Sequence, residues 1–222
     1  MQKKIRSRTY NSDSRREAAL ATRRSILEAA LRMFLQKGYA ATTMPAIAQS
    51  AGIAMDTVYA AVGKKPALFR LLVETAISGG DAAIPAEERD YVQAIRAEPD
   101  AAKKLQLYAS ALRSIQAKLA PLFRVLQGAA PLDPELNALW QEISQRRARN
   151  MRLFAKDLAA TGSLRRDLSV ERAADVIWSM NSPEFYLLLV QDRGWSSQEF
   201  EQWLSDAWIR LLLNQSDEKN VE

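Results

Sequence analysis

The 222-residue chain contains no cysteine and no histidine. Without cysteine there is no disulfide, no thiolate nucleophile and no Cys-ligated metal or iron–sulfur cluster. Without histidine there is no Ser-His-Asp triad, no imidazole acid–base chemistry and no zinc site of the usual kind. The Glu-x-x-His pair of a di-iron helical bundle is excluded for the same reason. Long apolar runs are missing too, all of them well short of the roughly 18 residues of a membrane helix. Residues 1–24 are basic but lack the apolar stretch of a secretory signal, and Asp13 and Glu17 interrupt the acid-poor pattern of a transit peptide. Glycine and proline, eight of each, are too few for a collagenous or low-complexity chain. What remains is an ordinary globular composition, 48% hydrophobic, long enough for one or two domains with a real core. Its expected place is a reducing cytoplasm, with no membrane partner.

The charge is unevenly spread. Of 31 basic and 26 acidic side chains, residues 1–75 hold 13 basic and five acidic, which leaves that third at +8. The remainder is slightly acidic. Such asymmetry points to a polyanion-binding end and a differently employed remainder; a solvated basic face without a partner has the same composition.

Nearly every apolar segment has helical spacing, and no segment reads as a strand. Ser14-x-x-Glu17 has the form of a capping box, so a helix is expected to open there. Ile26, Leu27, Ala30, Leu31, Phe34 and Leu35 recur at helical spacing along it, and Gly38 ends it. Two very short helices follow. Thr43 can cap one from Met44 to about Ser50, with Pro45 tolerated in its first turn. Ala51-Gly52-Ile53 makes a tight break, and a second short helix runs from about Met55 to Ala61. A longer helix with Pro66 near its start carries Leu68, Leu71, Leu72 and Thr75 and stops at Ser78-Gly79-Gly80. Beyond it the spacing predicts longer helices. Asp100, Asp133-Pro134 and Ser169 are expected caps, and Ser196-x-x-Glu199 is a second capping box. Pro121 is expected to break or kink its helix, and Ser182-Pro183 to kink or restart another.

The informative window is Thr43 to Lys65. A capped short helix, a glycine turn, a second short helix and paired lysines are the outline of a helix-turn-helix. Ala48 and Ile53 are small and apolar where two short helices must cross closely. Helices this short are marginal alone and need their neighbours as a clamp.

The residues Ile26-Leu27-Glu28-Ala29-Ala30, Gly38-Tyr39, Thr42-Thr43-Met44, Ile47-Ala48, Ala51-Gly52-Ile53, Thr57-Val58-Tyr59, Lys65 and Leu68 resemble the N-terminal domain of TetR-family transcriptional regulators over residues 21–75. The resemblance implies an all-α chain in three parts. These are a basic arm over 1–20, a DNA-binding domain over 21–80 with its helix-turn-helix at about 43–62, and a ligand-binding and dimerisation domain over 81–222. It implies that Thr43, Tyr59, Lys64 and Lys65 contact phosphates. It also implies that Ala54, Met55, Asp56 and Thr57 lead a recognition helix into the major groove. There Asp56 can accept from a cytosine amino group, while Met55 or the Thr57 methyl can touch thymine methyls. The arm (Lys3, Lys4, Arg6, Arg8, Arg15, Arg16) can track phosphates or enter a minor groove; a plain disordered tail is the other reading.

Two departures stand out. Ala54 replaces the usual Ser or Thr cap, and Ala60, Ala61 and Val62 follow the tyrosine in place of larger residues.

The resemblance further implies a two-fold homodimer on a palindromic double-stranded operator, with recognition helices about 34–36 Å apart. Phe185, Leu188, Leu189, Trp203, Trp208 and Leu212 are expected at the dimer interface or in the core beneath it. A largely apolar inducer is expected among Tyr108, Phe123, Met151, Phe154, Trp178 and Asn181. No catalytic residue, metal or cofactor is called for. The expected activity is repression released by a small molecule. The alternatives are a DNA-binding regulator without an inducer and a carboxylate-based helical-bundle enzyme.

Overall fold

The computed structural model describes the backbone of residues 6–78 and 84–214, and side chains from Ser14 onward. The Gly79-Gly80 stop, Lys3, Lys4, the tail after Asn214 and the side chains of Arg6 and Arg8 lie outside the described residues. Those residues form α1 (Arg6–Ala41), α2 (Met44–Ala51), α3 (Met55–Val62), α4 (Lys65–Ser78), α5 (Asp90–Ala97), α6 (Ala101–Ala129), α7 (Pro134–Ala160), α8 (Val170–Met180), α9 (Pro183–Tyr186) and α10 (Ser197–Leu212). Short 3₁₀ turns precede α5 and α7, and a π-helical turn, Leu187–Asp192, continues α9.

The caps explain most boundaries. Asp100 Oδ1 accepts from Lys103 N at 2.8 Å, and Asp133 Oδ1 accepts from Glu135 N at 3.0 Å and Leu136 N at 3.2 Å. Ser196 and Glu199 close the expected reciprocal capping box. At Gly38 the backbone leaves helical geometry (φ 75°, ψ 174°), and the chain turns toward α2.

Two expectations need correction. The helix expected to open at Ser14 already runs from Arg6, so the capping-box residues lie inside it and the arm from Arg6 onward is helical, not a tail. Pro121 does not break α6, which passes through it as one 29-residue helix. Only the bond from residue 121 to the Ala117 carbonyl is forfeited, and Leu119, Ala120, Leu122 and Phe123 stay buried around it. Of the two outcomes expected at Ser182-Pro183 the restart is the one found, as a separate turn with Ser182 Oγ accepting from Phe185 N at 3.0 Å. No strand forms among the described residues, but Leu164 and Leu213 make an isolated antiparallel bridge that ties the end of α10 to the α7–α8 connection.

The core divides differently from the expected chain boundary near residue 80. One apolar cluster joins α1–α4 to the second half of α6 and the first half of α7, through Ile115, Leu119, Phe123, Leu136 and Ile143. The other joins α5, the first half of α6, the end of α7, and α8 to α10. Lys104, almost wholly buried on α6, fastens this second cluster. Its ammonium donates to Ile95 O at the end of α5 and to Asp157 Oδ2 on α7, both at 2.7 Å. The aliphatic stem packs while the charge finds a carbonyl and a carboxylate, as a buried lysine requires.

Candidate nucleic-acid interface and the cavity behind it

The head is built from α2 and α3. Thr43 has extended backbone angles and its Oγ1 accepts from Ala46 N at 3.3 Å, so the first turn of α2 is capped while the residue stays exposed. Gly52 (φ 68°, ψ 30°) takes the left-handed turn, and the Gly52 and Ile53 amides bond back to Gln49 O and Ala48 O at 3.2 and 3.0 Å. The break thereby closes orphan carbonyls of α2 and aims α3 away from it. Ala54 caps α3 with no side-chain bond, and Asp56 is the acid of its first turn.

Burial separates the two faces of α3. Val58 and Val62 point into the core, whereas Ala54, Asp56, Thr57, Tyr59 and Ala60 are exposed, Tyr59 at 45%. Met55 is half-buried and packs against the core cluster, so it offers less surface than Asp56 and Thr57. Lys64 is exposed. Lys65 is not a loose side chain. Its ammonium sits 4.1 Å above the Tyr39 ring, and Tyr39 belongs to a cluster with Phe34 and Phe69 at centroid distances of 5.2–5.6 Å. Burial pushes the Lys65 ammonium below its ordinary value, and the Asp133 carboxylate opposes that shift. Sequence reasoning named Lys65 as a phosphate ligand but gave no role to its platform, Tyr39.

Behind the head, a cavity of about 420 Å³ opens between the end of α4, helices α5, α6 and α7, and the turn into α9. Five of the six expected residues line it: Tyr108, Phe123, Met151, Phe154 and Asn181. Trp178 does not. Its indole Nε1 donates to Ser144 O at 3.4 Å, and the Arg147 guanidinium covers its ring at 4.7 Å. Tyr108 is stacked on Trp208 at 5.5 Å and meets Phe154 edge-on at 5.2 Å. Asn181 Nδ2 donates to Tyr108 Oη at 2.8 Å and to Met151 Sδ at 2.9 Å, and Gln116 Nε2 donates to Asn181 O at 2.7 Å. Burial drives the Tyr108 phenol well above its ordinary value, and Tyr91 adds a smaller push in the same direction. Gln116 Oε1, Asn181 Oδ1 and Arg147 Nε are buried without a hydrogen-bond partner. Gln116, Arg89 and Arg147 were not foreseen as wall residues, because a polar residue on an amphipathic helix reads as a solvent face.

The cavity touches the base of the head. Ile77 of α4 lines it, and so does Arg146, whose Nη2 holds Glu74 Oε1 of α4 at 2.7 Å. One turn away Arg70 and Glu142 pair at 2.7 Å, so α4 and α7 are joined by two rungs.

The expected dimer residues fall into two groups. Leu188 and Trp203 are 56% and 38% exposed, with Phe185 and Leu189 half-buried beside them. Trp208 and Leu212 are fully buried within the protomer and present nothing to a partner. The apolar stripe of α10 is wide enough to fill the core, and its period could not separate the buried edge from the outer one. Among the described residues there is no metal-holding cluster of acidic side chains and no helix long and apolar enough to cross a membrane.

An all-α chain with a capped short helix, a glycine turn and a second exposed helix set on a larger helical body defines a helix-turn-helix protein. Residues 26–72 match the family model described as bacterial regulatory proteins, tetR family. The match covers the head and its flanking helices, and over that stretch the chain is similar to this family. Over most of its length the chain shares its fold with solved structures. It superposes with a TM-score of 0.69 on NalD, the secondary repressor of the MexAB-OprM multidrug efflux pump in Pseudomonas aeruginosa, at 22% identity over 90% of this chain and 100% of that one. A putative transcriptional regulator from Saccharomonospora viridis in complex with choline matches with a TM-score of 0.64 at 19% identity over 87% and 98% of the two chains. The fatty acid degradation regulator FadR from Bacillus halodurans gives 0.66 at 17% identity over 85% and 94%. No curated protein sequence is significantly similar to the chain.

Proposed function

We propose that the chain is a homodimeric repressor that binds a palindromic operator and is released by a small molecule entering the cavity between α4 and α7. The observation that carries this reading is the shared wall. Ile77 and the Glu74–Arg146 pair set the helix at the base of the reading head against the cavity. A ligand that prefers a different spacing of α4 and α7 shifts the population of head orientations, by no more than its differential affinity for the two states. Thr43, Tyr59, Lys64 and Lys65 are the phosphate contacts in this reading, with Asp56 and Thr57 at the base edges. Leu188 and Trp203 lie on the partner face, with Phe185 and Leu189 at its border.

The test is fluorescence anisotropy on duplex DNA from immediately upstream of the coding region, at two salt concentrations and against an unrelated competitor duplex. Binding that survives competitor and falls steeply with salt is expected. Tyr59→Phe combined with Lys65→Gln should weaken binding and flatten the salt slope, by about 0.9 for each phosphate that is no longer neutralised. Unchanged binding by that double variant overturns the assignment of the head. Leu188→Glu should yield monomers by light scattering, with weakened operator binding; a persistent dimer overturns the assigned partner face.

A further inference from the structure

The cavity wall carries an excess of positive charge. Arg89, Arg96, Arg146 and Arg147 line it against a single carboxylate, Asp157. Most of these charges are engaged. Asp157 belongs to Lys104, and Arg146 to Glu74. Arg89 gives Nε and Nη2 to the Ile84 carbonyl at 3.1 and 3.0 Å. Arg96 lies exposed at the rim.

Arg147 is different. It makes no ion pair among the described residues, its Nε is buried without a partner, and one face of its guanidinium rests on Trp178. Glu184 acts on it only from a distance, and the Oε2 of that carboxylate is itself buried and unpartnered. Burial pushes the Arg147 guanidinium below its ordinary value, the mark of a cation short of compensation.

Beside it stands an available hydroxyl. Tyr108 Oη already accepts from Asn181 Nδ2, and the acceptor within its own reach is a thioether, Met151 Sδ, at 3.5 Å. A thioether is a weak acceptor, so the phenolic hydrogen is ready for a better one. Arg147 lies close enough to act on that phenol electrostatically.

We infer that the ligand of this cavity is an anionic amphiphile, whose carboxylate-type head is taken by the Arg147 guanidinium and the Tyr108 hydroxyl while its apolar body lies along Leu112, Ile115, Leu119 and Phe123. The inference rests on the reading of this cavity as the effector site. The volume, about 420 Å³, falls in the range of small-molecule pockets. A charge-assisted hydrogen bond there replaces an uncompensated cation with a pair.

Isothermal titration of the full-length protein with head-group series on fixed bodies tests this. The probes are decanoate, methyl decanoate and decyltrimethylammonium, and 2-naphthoate with its methyl ester. In one series or the other the carboxylate should bind about ten- to a hundred-fold more tightly than its ester, the range for a hydrogen bond to a charged group. The ammonium should bind most weakly. Arg147→Gln should bring acid and ester within a few-fold of each other, chiefly by weakening the acid, and Arg147→Lys should keep the preference. An ester that equals its carboxylate in both series, or an ammonium that equals decanoate, overturns the inference. So does a preference that survives Arg147→Gln, or no binding of any probe at its solubility limit. The acid–ester comparison on the wild-type chain needs no variant to fold. Operator anisotropy with the same probes separates the two readings. Carboxylate binding without DNA release keeps the ligand class and overturns the released-repressor reading. Equal release by acid and ester does the reverse.

Discussion

The two ion pairs between α4 and α7 should contribute unequally, and the difference is measurable. In the inner pair, Glu74 and Arg146 are 17% and 32% exposed with a 2.7 Å contact; in the outer pair, Arg70 and Glu142 are 42% and 45% exposed at the same separation. Geometry is therefore matched and solvation is not. The outer pair is a surface bridge, worth about 0.2–1 kcal/mol. Removing one member of a fully buried pair costs about 3–5 kcal/mol, because a charge is left behind without its partner. The inner pair lies between these limits, so Glu74→Gln should cost about 2 kcal/mol. At this chain length about 2 kcal/mol corresponds to a Tm decrease of roughly 4–8 °C. The assay is urea unfolding followed by tryptophan fluorescence at one fixed protein concentration, as two double-mutant cycles: Glu74→Gln with Arg146→Met, and Arg70→Met with Glu142→Gln. The inner coupling energy should exceed the outer by about 1 kcal/mol. Equal couplings, or a larger outer one, would refute the argument that burial at the cavity wall sets the strength of the link between head and body.

Ala54→Ser should raise stability by about 1 kcal/mol, since the backbone at residue 54 (φ −61°, ψ 143°) already suits a capping hydroxyl and α3 has none; a thermal melt no higher than wild type would show that this helix end is otherwise satisfied. Gly52→Ala should destabilise the head by about 1–2 kcal/mol, purely through its left-handed backbone, because a methyl there meets nothing within 4 Å. Gly52→Asn should cost less, and equal losses for the two would point to steric contact instead. Alkaline pH should unfold the protein through its buried phenols. The Tyr39 phenol is pushed up to about 12, by burial first and then by Asp133 and Glu135, and that of Tyr108 is raised by burial as well. Below pH about 10 both states keep these protons; above it the unfolded chain loses them first, so stability falls between pH 10 and 12. Lys65, lowered by burial, works in the opposite sense as the pH approaches 10.5. Tyr39→Phe with Tyr108→Phe should flatten the decline, and an unchanged slope above pH about 10 would exclude these two groups as its cause.

The head was legible because its constraints are local. A hydroxyl cap at Thr43, a left-handed turn at Gly52 and two short apolar patterns each act within a few residues, and each has its own sequence signature. The interior helices gave more trouble where two local signals competed. Ser14 and Glu17 have the form of a capping box, but a cap forms only where a helix begins, and the helix continues upstream to Arg6. Pro121 removes one hydrogen bond, and sequence alone weighs that loss as a break. In the fold it is offset by Leu119, Leu122, Phe123 and Leu126, all buried against the head and α7.

The cavity was legible only by half, and the missing half is polar. Aromatic and apolar positions such as Tyr108, Phe123 and Phe154 declare themselves by periodicity, since they must be buried somewhere. Arg147 carries no such mark. It lies within Gln145-Arg146-Arg147-Ala148-Arg149-Asn150, a run that reads as one solvated stripe. Neighbouring residues on a helix point about 100° apart, so such a run cannot face solvent along its whole length. Arg149 does face it. Arg146 is drawn onto Glu74, and Arg147 is turned inward over Trp178 to the cavity wall. Only the packing of α7 against α4 and α8 decides which arginine meets a carboxylate and which is left without one. That assignment is a property of three helices together. It separates a charge that ties the head to the body from one that makes no ion pair among the described residues.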